Sequence, residues 1–168
     1  MGLIVPAQLS SWFDDYSPTL VLYARQWLPV ESAEDVVQDT FIRLMSQPRE
    51  PANIRAWLFR SVRNAAISQL RLQGRRKKHE RQLAADRQQN LFEHRTEDLI
   101  DASELQVALE SLPQEQREIV VLRLWAGMTL RETAEVVGEP VSTLFSRYRS
   151  GLAALRRKLE LSCKTKNA

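Results

Sequence analysis

A chain of 168 residues, 43% of them apolar, has enough hydrophobic mass for one core or two small ones, which excludes global disorder. No apolar run approaches the roughly 20 residues a membrane-spanning helix needs, and the N-terminus lacks the basic flank and long apolar stretch of a signal peptide. The lone Cys163 excludes an internal disulfide and fits a reducing, cytoplasmic setting, while the net charge of +3 conceals a strongly blocked pattern.

Seven prolines and five glycines punctuate the chain, and no alternating β-branched run is long enough for a strand, so the whole reads as helical. The spacing predicts a first helix from about Ser10 to Leu28, bent or interrupted near Pro18 and closed by Pro29. Ser32 stands where it can cap a second helix, Ala33 to Met45, with Val37, Phe41, Leu44 and Met45 as its buried stripe. Residues 47–53, which include Pro48 and Pro51, read as a loop. Asn53 then caps a third helix reaching about Gln73, with Ile54, Trp57, Leu58, Val62 and Leu70 inward and Gly74 as its stop.

From His79 to about Ile100 polar residues dominate, the composition of a linker. Beyond it Leu105, Leu109 and Leu112 mark one helix face, Pro113 breaks it, and Glu115 to Trp125 make another helix before Gly127. The next segment has the grammar of a helix-turn-helix. Thr129-Leu130-Arg131-Glu132 has capping-box spacing, in which hydroxyl and carboxylate satisfy amides at a helix start. Ala134, Val136 and Val137 form a small apolar face, Gly138 suits a left-handed turn residue, and Pro140 opens the following helix. That helix is expected to bury Leu144, Tyr148, Leu152 and Leu155. Its other side carries Thr143, Ser146, Arg147, Arg149 and Ser150, groups suited to phosphates and base edges.

Charge divides the chain further. Residues 1–50 carry three bases and seven acids, and residues 51–81 nine bases and one acid. Residues 82–118 reverse this with three bases and nine acids, and residues 119–168 return to nine bases and four acids. Two basic blocks held apart by an acidic stretch suggest two sites for a polyanion. Catalytic signals are missing. His79 and His94 fall in the linker without metal-ligand spacing, there is no phosphate loop or nucleophile elbow, and the acid pairs Asp14-Asp15 and Glu34-Asp35 read as solvated helix faces. The expectation is no catalytic residue, no metal and no cofactor. Trp57, Arg60 and Asn64 instead recur at three- and four-residue steps along one helix side, with Arg63, Arg71, Arg75 and Arg76 adding charge. An aromatic ring, an amide and guanidinium groups on one ridge suit a single nucleic-acid strand.

Four blocks in sequence carry a family resemblance. They are Glu34-Asp35-Val36-Val37-Gln38-Asp39-Thr40-Phe41; Ala56-Trp57-Leu58 with Arg63-Asn64; Leu112-Pro113 with Arg117-Glu118 and Leu122-Arg123; and Thr143-Leu144-Phe145-Ser146-Arg147. Together, from about Leu9 to Leu159, they resemble sigma-70-family RNA polymerase sigma factors of the extracytoplasmic-function group. The resemblance implies an all-α chain of two small helical domains joined by a flexible linker. A region 2 bundle would occupy residues 1–78, the linker 79–102, a region 4 helix-turn-helix 103–161 and a tail 162–168.

The same resemblance implies an alternative sigma factor that brings core polymerase to promoters and helps to melt DNA. Asp35, Gln38, Asp39 and Phe41 would dock on clamp helices of the largest polymerase subunits, and the acidic balance of residues 1–50 agrees with a basic partner. The 47–53 loop and the ridge of Trp57, Arg60 and Asn64, helped by Arg63, Arg71, Arg75 and Arg76, would take the non-template strand of the minus-ten element. Thr143, Ser146, Arg147 and Arg149 would read the minus-thirty-five element while Arg123 steadies its backbone. An anti-sigma protein is a further expected partner, and membrane insertion is not expected. The chain departs from the family pattern at Ser68, where many relatives carry an acid, and at Phe145, Ser150 and Leu152, where relatives often carry bases; Arg149 is a base one position out of place. The rival reading is an autonomous helix-turn-helix regulator binding an operator as a dimer, which would need neither the Trp57–Asn64 ridge nor the acidic Asp35/Asp39 helix. A sequestering adaptor without DNA contact fits poorly with Arg147 and Arg149 on one helix.

Overall fold

The computed structural model describes residues 5–80 and 102–166, with side chains for 5–74 and 104–161. Seven helices occupy the described residues, with no strand among them. They fall into two compact units, α1–α3 and α4–α7. Most of the expected linker, and with it the expectation of its flexibility, lies outside the described residues.

In the first unit each of α1 (Pro6–Ala24), α2 (Val30–Met45) and α3 (Ile54–Glu80) packs on the other two. Tyr23 is the centre of the core, fully buried, with its ring edge-on to Trp27 at 5.1 Å and tilted against Phe59 at 5.4 Å. Leu20, Leu28, Val37, Leu44, Leu58 and Val62 are buried in the same unit. Such aromatic pairs contribute beyond their buried area because ring edges and faces carry opposite partial charge.

Several local expectations change. α1 begins at Pro6, four residues before Ser10, and runs through Pro18 without interruption. Pro18 is exposed, so water can take up the carbonyl its ring leaves unbonded. α1 also ends early, and the chain tightens into a turn in which the amides of Trp27 and Leu28 both donate to the Ala24 carbonyl. α2 starts at Val30, with the extended Pro29 rather than Ser32 at its cap. The Met45 side chain, expected inward, is 62% exposed, and Thr40 takes an inward place by donating its hydroxyl to the Val36 carbonyl at 2.8 Å. In α3, Asn53 caps as expected, accepting from the Ala56 amide at 3.0 Å. Leu70, however, is 43% exposed, whereas Phe59 and Ala66 are fully buried. Gly74 does not stop the helix, which continues to Glu80. A glycine ends a helix when it adopts positive φ; Gly74 does not, and the residues around it are good helix formers.

In the second unit α7 (Val141–Lys166) packs against α4 (Ala102–Glu110), α5 (Gln114–Leu124) and α6 (Leu130–Val137). Its core joins Ala108, Leu109, Leu112, Val120 and Leu155, with Leu105, Trp125, Tyr148, Ala154 and Leu159 packed on them. The capping box forms as spaced: the Glu132 amide donates to the Thr129 hydroxyl at 3.2 Å and the Thr129 amide to the Glu132 carboxylate at 2.9 Å. Gly138 closes α6 at φ 79°, a left-handed conformation that side chains with a Cβ resist. Gly151 serves a different purpose. A Cβ there would lie 3.0 Å from Val120 Cγ2 and 3.3 Å from Gln116 Cβ, so its absence lets α7 cross close over α5.

Candidate nucleic-acid and polymerase interfaces

Helical periodicity sets the surface of α3. Leu58, Phe59, Val62 and Ala66 are buried, which turns the opposite side outward. On that side Arg60, Asn64 and Arg71 are exposed and Trp57 is half-buried. Arg63 is half-buried and displaced toward the flank. Arg75 and Arg76 belong to the α3 backbone, but their side chains lie outside those described. The arrangement offers one planar ring, an amide able to donate and accept, and cations along one helix side, the chemistry of a stacked base with its phosphates.

On α2, Glu34, Asp35, Gln38 and Asp39 are exposed and form an acidic edge. Phe41 does not share it. Its side chain is only 4% exposed and meets Phe13 edge-on at 5.0 Å between centroids. Phe41 takes the buried place that the apolar stripe of α2 predicts and supports this helix from beneath.

In the second unit, the turn between α6 and α7 presents the start of α7. Val141, Ser142, Phe145, Ser146, Arg149 and Ser150 are exposed, Thr143, Arg147 and Tyr148 are half-buried, and Leu144 is fully buried. The exposed six share one half of the helix circumference, and Thr143 and Arg147 lie at its margin. Arg147 is held by carboxylates of its own unit. Nη1 donates to Glu139 Oε1 at 2.7 Å, and Nη2 lies 3.2 Å from Glu115 Oε2. The hydrogen bond to Glu139 raises the guanidinium above its usual range; burial opposes this, and the charges of Glu139, Glu115 and Glu118 reinforce it.

Arg123 is likewise engaged. Its Nη1 donates to the Met128 carbonyl and its Cζ lies 5.4 Å from the Tyr148 ring centroid, binding the turn before α6 to α7. Arg117 ties α4 to α5 by donating to the Gln114 side chain and, at 3.5 Å, to the Glu110 carbonyl. Burial pushes its guanidinium below the ordinary value, and Glu110 partly offsets this. Arg149 is different: it is exposed, with Cζ 5.7 Å from the Phe145 ring centroid. Sequence reasoning missed both the partners of Arg147 and the exposure of Phe145. Glu139 is adjacent to Pro140 and was available as a signal, whereas the approach of Glu115 depends on how α5 packs on α7.

Family comparison joins the two units. The sigma-70 region 2 model matches residues 12–76, and the sigma-70, region 4 model matches residues 102–155. The ECF RNA polymerase sigma factor EcfG of Rhodopseudomonas palustris (strain TIE-1) is 32% identical over 138 residues, covering 74% of this chain and 71% of that protein. The chain belongs to the sigma-70 family, in its extracytoplasmic-function group. RNA polymerase sigma factor SigV of Bacillus subtilis (strain 168) is 27% identical over 132 residues, covering 77% of this chain and 76% of that protein. Among solved structures, the sigma factor RpoE of Bartonella quintana, in complex with the anti-sigma factor NepR, has a TM-score of 0.76 at 24% identity, covering 90% of this chain and 96% of that one. CnrH, in complex with the cytosolic domain of CnrY, has a TM-score of 0.63 at 24% identity, covering 94% of this chain and 91% of that one. These two likenesses concern the fold.

The chain is thus an alternative sigma factor acting in transcription initiation, and its class binds core RNA polymerase and promoter DNA. Matches to both regions in order favour this over the autonomous dimeric regulator. Among the described residues no helix is long and apolar enough to cross a membrane.

Proposed function

We propose that the first unit, about residues 1–78, engages polymerase through α2 and the minus-ten element through α3, and that the second, about 103–161, engages the minus-thirty-five element. The observation that carries this is the separation of charge within one small bundle. Exposed Asp35, Gln38 and Asp39 lie on α2, while Trp57, Arg60, Asn64 and Arg71 line α3. The acidic edge suits basic clamp helices, with Phe41 fixing its geometry from the core. The α3 ridge, with Arg63, Arg75 and Arg76 as further cations, takes the non-template strand. Flipping a base from the duplex costs a few kcal/mol, which stacking on Trp57 and contacts at Arg60 and Asn64 offset.

On α7, Ser146 and Arg149 make direct groove contacts. Thr143 and Arg147 act at the margin, with Arg147 positioning the helix through its two carboxylates, and Arg123 holds the preceding turn. The factor works in the cytoplasm, makes and breaks no bond of its own, and is held inactive by an anti-sigma protein, as the solved complexes of similar factors suggest. Purified chain mixed with core polymerase should form a holoenzyme that supports run-off transcription from promoters it selects. Failure to bind core polymerase, together with saturation of a palindrome as a twofold dimer, would overturn this reading.

A further inference from the structure

We propose that Phe145 is a specificity-determining residue that reads the C5-methyl group of one thymine in the upstream promoter element. The inference rests on the placement of α7 in the major groove given above. A single exposed apolar side chain needs no explanation in itself. The place of this one does. Phe145 is 48% exposed in the second turn of α7, on the surface it shares with Ser142, Ser146, Arg149 and Ser150. N-terminal residues of a recognition helix are the ones that meet base edges. A phenyl ring can neither bind phosphate nor satisfy a base's hydrogen-bonding groups. The apolar feature of the major groove is the thymine methyl, which phenylalanine can cover.

Two observations favour this occupant over a protein surface. Residues 119–168 carry nine bases against four acids, so a polyanion is favoured here. The Arg149 guanidinium also lies over the Phe145 ring, Cζ to centroid 5.7 Å, placing a cation next to an apolar ring. Arg147 does not compete for the groove floor because Glu139 and Glu115 hold it.

The test uses holoenzyme reconstituted from core polymerase and the full chain. Promoters are first selected from duplexes randomised over promoter length, and each thymine of the upstream element is then replaced singly by deoxyuridine, which removes only the methyl. Wild-type holoenzyme should lose about fourfold in affinity at one thymine, the worth of one buried methyl. The Phe145→Ala holoenzyme should bind more weakly and show no penalty at that position, while Phe145→Leu should retain part of it. Unchanged melting of both variants would confirm that the fold is intact. An upstream element without thymine, deoxyuridine effects equal in wild type and Phe145→Ala, or a uniform loss that leaves the deoxyuridine pattern intact would each overturn the proposal. If scrambling the whole upstream element has no effect while transcription persists, the groove placement of α7 fails, and this inference fails with it.

Discussion

The guanidinium of Arg147 is bound to Glu139 at 2.7 Å, an arginine of α7 locked to the turn that precedes the helix. Glu115, at the start of α5, completes the clamp from the other side at 3.2 Å. On the function proposed above Arg147 acts as a positioning residue, and positioning has its own signature. Both partners are partly solvated, so their coupling should be about 1 kcal/mol, measured by a double-mutant cycle of Arg147→Ala and Glu139→Ala in thermal unfolding. Promoter binding should weaken by similar amounts in the two single variants. A loss of about 1–3 kcal/mol confined to one base pair in Arg147→Ala, with Glu139→Ala silent, would show that the guanidinium reads a base instead.

Asp39 and Phe41 lie two residues apart on α2, yet their substitutions should fail in different ways. Asp39→Arg should leave the melting temperature within error while impairing assembly with core polymerase, since Asp39 is exposed. Phe41→Ala should destabilise the first unit by about 3–5 kcal/mol, the usual cost of removing a buried phenylalanine. Pull-down with core polymerase and thermal melting separate the two. Intact assembly in Asp39→Arg would remove α2 from the docking surface.

Trp57→Ala should slow promoter opening more than it weakens closed-complex binding, because stacking is gained only when a base leaves the duplex. The loss should be about 1–3 kcal/mol. Permanganate footprinting on duplex promoters reads it, and a template with a pre-melted minus-ten bubble should recover most of the activity. If the bubble gives no recovery, Trp57 serves the core alone.

Gly151→Ala should lower the stability of the second unit. Alanine is the better helix former by about 1 kcal/mol, but its Cβ would meet Val120 Cγ2 at 3.0 Å in a fully buried position. Overpacking of this kind costs about 1–3 kcal/mol, so the net change should be a loss of about 1 kcal/mol. Shortening Val120 to alanine in the same chain should relieve part of it. Calorimetry that finds Gly151→Ala stabilising would mean α5 and α7 can separate freely.

What the amino-acid order determined unaided was local in origin. The Thr129–Glu132 capping box, the Asn53 cap and the left-handed Gly138 each depend on neighbours three or four residues away, and each stands as spaced. Helical periodicity likewise identified Leu58, Val62, Leu144 and Leu155 as buried, because a single face repeats every turn. Tertiary structure decided where that face ends. Met45 and Leu70 have the right spacing for burial, but no partner element covers them, and the core closes on Thr40, Phe59 and Ala66 instead. Gly74 shows that a glycine stops a helix only when the chain turns there. The state of the cations was decided the same way. Arg147 and Arg149 are two residues apart and equally basic in the sequence, yet only the packing of α5 and the α6–α7 turn brings carboxylates to Arg147 and leaves Arg149 facing outward over Phe145. Electrostatic pairing depends on distances between elements, and such distances exist only once the helices have packed.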